Sequence, residues 1–276
     1  MRRRDPRLDV TLIDAVLVLA VVVTVPLAMR LAGFDDHTYL VVAAGSAAAA
    51  SVFVNGYVAV ALVLVWLAAV AYLTVRSLVP LPQTFGEAFR ALPFAYLVVG
   101  AGWLLMARLG VRPLGFGDVI VSLTAVHFHY AGFIAPVLVM QLPAAGLSTS
   151  VATVGVMAAT PLTAAGISLH PALGVLGAAT FVVALGIYSW HVLGHVAAAQ
   201  TGMARVLLVV SAVSIGAGVV LGAIYALGQW LGTPAPGIET MTRSHGMLNA
   251  LGFSLCGVLG WREAENTSPE TTILVD

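Results

Sequence analysis

Five of the seven histidines, His127, His129, His170, His191 and His195, fall between Asp118 and Arg205, and no Asp, Glu, Lys or Arg lies between those two ends. Imidazole is the side chain that titrates near neutrality, and it can donate a hydrogen bond, accept one or ligate a metal. An ionisable group in an apolar interior is costly and ordinarily faces a cavity or a polar partner. The pattern therefore points to proton handling, hydrogen bonding between helices or metal ligation.

The densest cluster reads Val126-His127-Phe128-His129-Tyr130-Ala131-Gly132-Phe133. At the pitch of a regular helix His127 and His129 point about 200° apart, so the two cannot serve one metal ion. Asp118, Ser122 and His129 lie within about 40° of one another, a stripe on which Asp118 or Ser122 could orient a polar chain toward His129. His127 shares the opposite side with Thr124 and could hydrogen-bond a neighbouring helix. Further on, Tyr188, His191 and His195 fall within an arc of about 60°. His191 and His195 have the i, i+4 spacing of metal sites on helices but lack the Glu that a zinc hydrolase uses as base. No metal is expected; a zinc pair at His191 and His195 is the minority alternative to a proton-handling or structural role. His245 and Asn249 are again i, i+4, behind Ser244 as a candidate helix cap. Gly246 and Gly252 beside them permit close helix contact.

Other chemistry-bearing residues read more plainly. His37 beside Asp35-Asp36 is a loop residue, and His170 before Pro171 a turn residue. Asp14 sits about one turn into an apolar run as an interface carboxylate. Asp118 opens a helix, where the dipole stabilises its charge. Glu87 and Glu239 lie in connections. Gly115 and Gly117 do not form a phosphate loop, since no Lys follows. Cys256, the single cysteine, excludes an internal disulfide and a Cys-based metal cluster.

The elements that must position these residues follow from composition. Of 276 residues 60% are hydrophobic and 9% charged, and the mean hydropathy is +1.02. Those values exclude a water-soluble globule, a nucleic-acid binder and a disulfide scaffold. All twelve cationic residues are arginine and twelve acids balance them, so no net field points to a polyanion. Apolar runs at about 10–31, 38–54, 57–78, 92–108, 118–141, 149–168, 171–198, 204–231 and 246–261 predict nine membrane helices. The second, rich in Ala and Gly, and the ninth, short and partly polar, are the least secure, so eight spans is the alternative. The predicted fold is all-α: one transmembrane bundle over 10–261, a basic segment at 1–9 and a polar tail at 262–276. The first run is too long for a signal peptide and carries Asp14. Four arginines precede it, which favours a cytoplasmic N-terminus for a multi-pass protein of the cell membrane. The connection from Pro82 to Arg90 has the make-up of a short amphipathic turn at the interface. No inverted repeat is visible.

The stretch His127-Phe-His-Tyr-Ala-Gly-Phe133 and the later segment His245-Gly-Met-Leu-Asn-Ala-Leu-Gly-Phe253 resemble the two signatures of the YndJ-like bacterial membrane proteins. The resemblance covers about Gly115 to Gly260. It implies a multi-helix membrane protein of poorly defined activity, and it singles out His127, His129, Tyr130, His245 and Asn249.

Three functions remain open. The first expectation is an intramembrane enzyme that moves a proton on a lipophilic, isoprenoid-like substrate, as in cyclisation or isomerisation, without a cofactor. Its acid/base candidates are His127, His129, Tyr130, Asp118, His191, His195, His245 and Asn249. Ser122, Tyr96, Trp103, Phe128, Phe133 and Tyr188 would line the pocket, the aromatic faces stabilising positive charge. No DxDD or DDxxD acid pattern is present. The alternative is a transporter with an intramembrane histidine proton relay; a third is a non-catalytic assembly or metal-sensing protein. Expected partners are membrane lipids and a lipophilic small molecule, with no nucleic acid. The catalytic reading expects the imidazoles to converge on one pocket.

Overall fold

Thr11 opens the first helix with a capping box: its hydroxyl accepts from the Asp14 N–H, and the Asp14 carboxylate accepts from the Thr11 N–H and hydroxyl. Comparable punctuation starts and stops the later helices. Thr84 caps one by accepting from the Glu87 N–H. His170 caps another through Nδ1, with Pro171 at its first position. Gly110 and Gly232 end two helices in the left-handed conformation that a Cβ disfavours.

The computed structural model describes residues 11–79, 81–82, 84–142 and 147–266. The expected basic segment at 1–9, the turn residues Pro80, Gln83 and Pro143, and the tail from 267 lie outside the described residues. Among the described residues there are nine continuous helices and no strand: α1 Leu12–Leu31, α2 Thr38–Ala50, α3 Gly56–Ser77, α4 Phe85–Leu109, α5 Asp118–Met140, α6 Leu147–Ser168, α7 Pro171–Ala199, α8 Gly202–Leu231 and α9 238–266. Seven of these are long and apolar enough to cross a membrane, which points to a multi-pass membrane protein. The two that fall outside that set are α2 and α9. With 13 residues α2 is too short. The helix α9 is long enough, but its uncharged middle, 244–261, is interrupted by Ser244, His245, Asn249 and Ser254 and is not apolar enough. It also starts earlier and ends later than its apolar run, so Arg262 to Asn266, expected in a polar tail, are helical.

The helices group into two compact units, one of residues 11–29 and 34–133, the other of 30–33 and 134–266. In the first, α2 packs on α1 and α3, α4 pairs with α3, and the first part of α5 packs on α4 and α1. Gly45 of α2 lies so close to α1 that a Cβ would collide with the Val21 carbonyl. In the second, α6 and α7 form a tightly packed hairpin, α8 packs on α7, and α9 packs on α8. Gln141 ties residues 30–33 to this unit by donating to the Leu31 carbonyl at 3.1 Å.

Small and polar residues of α8 share the inward face with Leu208, Ile215 and Val219, while other large apolar side chains face outward. On α8, Ala204, Ser211, Ala212, Ser214 and Gly218 are buried, whereas Val206, Val210, Val213, Val220 and Ile224 are exposed. Lipid rewards no apolar burial, so helices join through close backbone contact and hydrogen bonds.

Candidate functional site

Five wide-turn π segments interrupt α1, α5, α7 and α9: Ala20–Thr24, Phe128–Ile134, Val192–Val196, Thr242–Gly246 and Leu248–Leu255. A π turn shifts helical phase and loosens the carbonyl ladder, and such turns recur at functional sites. His129, Tyr130, His195, His245 and Asn249 all lie in these segments. The angular reading of α5 from a regular helix therefore stops at Phe128.

In the first unit, His129 and Trp66 are both 0% exposed. The Trp66 Nε1–H donates to His129 Nε2 at 3.1 Å, joining α3 to α5. His129 Nδ1 lies 2.7 Å from the Ala125 carbonyl. A carbonyl only accepts and an indole N–H only donates, so the ring is neutral and carries its proton on Nδ1. The two rings are 15° from parallel with centroids 5.9 Å apart; the bond runs edge to edge. Gly100 of α4 makes the space, because a Cβ there would stand 2.9 Å from His129 Nδ1 and 3.1 Å from Phe128 Cβ. One residue on, the Tyr130 hydroxyl donates to the Val16 carbonyl at 3.0 Å, joining α5 to α1.

The second unit repeats the wiring. His245 Nδ1 lies 2.8 Å from the Gly218 carbonyl of α8, and Asn249 Nδ2–H donates to His245 Nε2 at 2.9 Å. The same reasoning assigns a neutral ring with its proton on Nδ1. Asn249 Oδ1 is buried and has no hydrogen-bond partner. A Cβ on Gly218 would collide with that oxygen, and one on Gly222 would stand 3.3 Å from His245 Cε1. These two glycines of α8 form the slot that receives His245 and Asn249. Further along the same seam Ser211 donates to the Phe253 carbonyl at 2.9 Å, and the Trp261 Nε1–H donates to the Tyr188 hydroxyl at 3.2 Å.

The remaining sequence candidates divide by unit. His127 and His129 belong to the first, His191, His195 and His245 to the second. The polar chain expected from Asp118 to His129 is not what forms. Asp118 is 70% exposed and binds Arg112 at 2.8 Å through both carboxylate oxygens, while His129 takes Ala125 and Trp66 as partners. Hydrogen bonding and charge from that carboxylate hold the Arg112 guanidinium more firmly protonated than usual. Ser122 is half-buried. Asp14, expected as an interface carboxylate, forms a 3.1 Å ion pair with Arg108, the side chains 20% and 21% exposed. His127 packs edge-to-face on Phe128, centroids 6.2 Å apart.

The expected aromatic pocket is a set of packed contacts instead. Tyr96 meets Phe128 at 6.0 Å, Phe133 meets Phe94 at 5.4 Å, Trp103 meets Phe116 at 6.4 Å, and Tyr188 of the second unit meets Phe253 at 5.7 Å. The His191 and His195 rings are edge-to-face at 5.6 Å, with His195 exposed. Among the described residues no three His, Cys, Asp or Glu side chains come together to hold a metal. A groove of about 280 Å³ in the second unit is lined by Val151, Gly155, Ala179, Thr180, Val183 and Ala184, none of them titratable.

Sequence reasoning missed Trp66, Gly100, Gly218 and Gly222. Trp66 stands 63 residues from His129, so no local spacing links them. The glycines of α8 did carry a signal, the small-xxx-small pattern of close helix contacts.

Among curated proteins and among solved structures nothing matches this chain. A family model described as YndJ-like protein matches residues 15–253, which takes in both signatures and the His129 and His245 clamps, while Asp14 and Trp261 fall outside it.

Proposed function

We propose, from the premise that this chain belongs to the YndJ-like family, that it is a multi-pass cell-membrane transporter for a neutral or lipophilic small solute, coupled to protonation of an imidazole held between helices. One observation carries this reading. Each unit holds a neutral histidine in a π segment, bonded at Nδ1 to a carbonyl and at Nε2 to an N–H donor from another side chain. Protonation of Nε2 turns an acceptor into a donor and forces its partner to change, so a clamp whose partner can also accept, as the Asn249 amide at His245 can, has two states that a proton gradient can bias. The absence of fixed charge from 119 to 204 supports a cargo without charge. The four N-terminal arginines support a cytoplasmic N-terminus. The test is reconstitution in lipid vesicles with an imposed pH gradient and a panel of neutral and lipophilic solutes. Uptake should follow the gradient and be lost in His245→Ala. Gradient-independent behaviour for every solute, the same in wild type and variant, would end the proposal.

A second reading, an intramembrane enzyme moving a proton on an isoprenoid-like chain, is supported by the apolar groove of about 280 Å³ lined by α6 and α7. It ranks second because the groove's lining supplies no acid or base. Incubating the membranes with prenyl substrates and seeking isomers by mass spectrometry tests it; unchanged substrates would exclude it.

A further inference from the structure

We infer that His245 and Asn249 form the proton-binding site of this protein, and that the Asn249 amide turns over when the imidazole takes up a proton. The inference deepens the proton-coupled reading and rests on it for its consequence; the proton site itself stands on local geometry.

In the neutral state every partner is dictated. Gly218 offers a carbonyl, so Nδ1 must carry the hydrogen, and Nε2 must accept from Asn249 Nδ2–H at 2.9 Å. That orientation leaves Asn249 Oδ1 buried with no partner. A proton arriving at Nε2 needs an acceptor where Nδ2 now lies. Rotation of the amide by a half turn puts Oδ1 there. Amide O and NH₂ are close in size, so the flip needs no repacking. The Nδ2–H bond to Nε2 is exchanged for one from Nε2–H to Oδ1, and the NH₂ takes the place that Oδ1 held without a partner. The imidazolium then donates from both nitrogens, to Gly218 O and Asn249 Oδ1, and bonds from a cation are the stronger kind. Gly218 makes the turn possible, since any Cβ there would overlap the amide oxygen. The proton comes from water and returns to it; the residue His245 is half-buried.

His129 lacks this option. Its Nε2 faces the Trp66 indole N–H, which donates and never accepts. Protonation would set two N–H groups face to face, 3.1 Å apart, with both side chains fully buried. His129 is therefore a neutral strut, and the two clamps differ in kind. No fixed charge takes over the role at His245. The π segment that carries it packs against α8. On α9, Glu239 is paired with Arg243 at 2.8 Å, both well exposed. The other titratable groups of α9 are Cys256, Arg262, Glu263 and Glu265, and those of α8 are Arg205 and Tyr225. None of these is a partner of the ring, whose polar contacts are Gly218 and Asn249.

The experiment is solid-state NMR of ring nitrogens in ¹⁵N-histidine-labelled full-length protein in lipid nanodiscs, titrated across about two units either side of the ordinary imidazole range. His245 should pass from the Nδ1–H neutral form to the imidazolium, while His129 stays Nδ1–H neutral throughout. Asn249→Asp supplies a permanent acceptor and should raise the His245 midpoint by about one unit or more. Asn249→Leu removes the acceptor and should lower it by a similar amount; if that variant does not fold, the Asp variant alone decides. A His245 midpoint unmoved by either substitution, or His129 charging before His245, overturns the inference. Should the titration behave as expected while vesicle uptake ignores pH, the transport reading fails and the proton site remains.

Discussion

Trp66→Phe removes one N–H and keeps an aromatic ring in place, so it isolates the bond that joins α3 to α5. The deleted donor leaves His129 Nε2 without its partner at a position no water reaches, since both residues are 0% exposed. An orphaned buried acceptor costs about 1–3 kcal/mol. Hydrogen bonds between membrane helices average about 0.6 kcal/mol, because the unfolded chain in the membrane finds other partners. Full burial puts this bond toward the upper end, so we expect a loss of about 1.5 kcal/mol, a tenfold fall in the folded-to-unfolded ratio. His129→Leu orphans the indole N–H and costs a similar amount, and the ring volumes lost add a cavity term in each variant. A double-mutant cycle cancels those cavity terms. The double variant should be more stable than additivity predicts by about 1 kcal/mol. Reversible unfolding by denaturing detergent in mixed micelles, followed by circular dichroism, reads all four proteins. Coupling below about 0.3 kcal/mol, the ordinary error of additivity, would refute the strut.

Glycine substitutions should separate contact from propensity. Gly100→Ala pushes a methyl group to 2.9 Å from His129 Nδ1 and should destabilise by about 1–3 kcal/mol, whereas Gly102→Ala, with nothing within 4 Å, should be neutral or stabilising in the same unfolding assay. Gly218→Ala drives a Cβ into Asn249 Oδ1 and should shift the His245 ring nitrogen signals, while Gly216→Ala, in open space, should leave the spectrum unchanged. The two ion pairs should also part company. Arg108→Ala should lower the unfolding midpoint by about 1 kcal/mol, since its 3.1 Å pair with Asp14 is mostly covered, whereas Arg112→Ala should have no measurable effect because its pair with Asp118 is open to solvent. Equal losses in those two variants would contradict the burial assigned here.

Much of the architecture was legible in the residues alone. The nine apolar runs separated by Gly and Pro leave a chain little choice but helices, because lipid offers no partner for a backbone N–H or C=O, although only seven of the helices are long and apolar enough to cross a membrane. The weakness of the second and ninth runs was legible too, in the Ala and Gly content of one and the short, partly polar make-up of the other. The chemistry-bearing residues were findable by type, since an imidazole in an uncharged apolar stretch is conspicuous. What each imidazole does was decided only by the folded chain. The π segment beginning at Phe128 breaks the regular helical phase by which Asp118, Ser122 and His129 would share a stripe. Trp66 reaches His129 across 63 residues, a contact no periodicity encodes. A histidine's proton sits where its partners require it, and one partner of each ring, Trp66 or Gly218, comes from another helix. Trp66 leaves His129 no acceptor, Asn249 offers His245 both a donor and an acceptor, and the difference between a fixed strut and a protonatable site lies in that one choice.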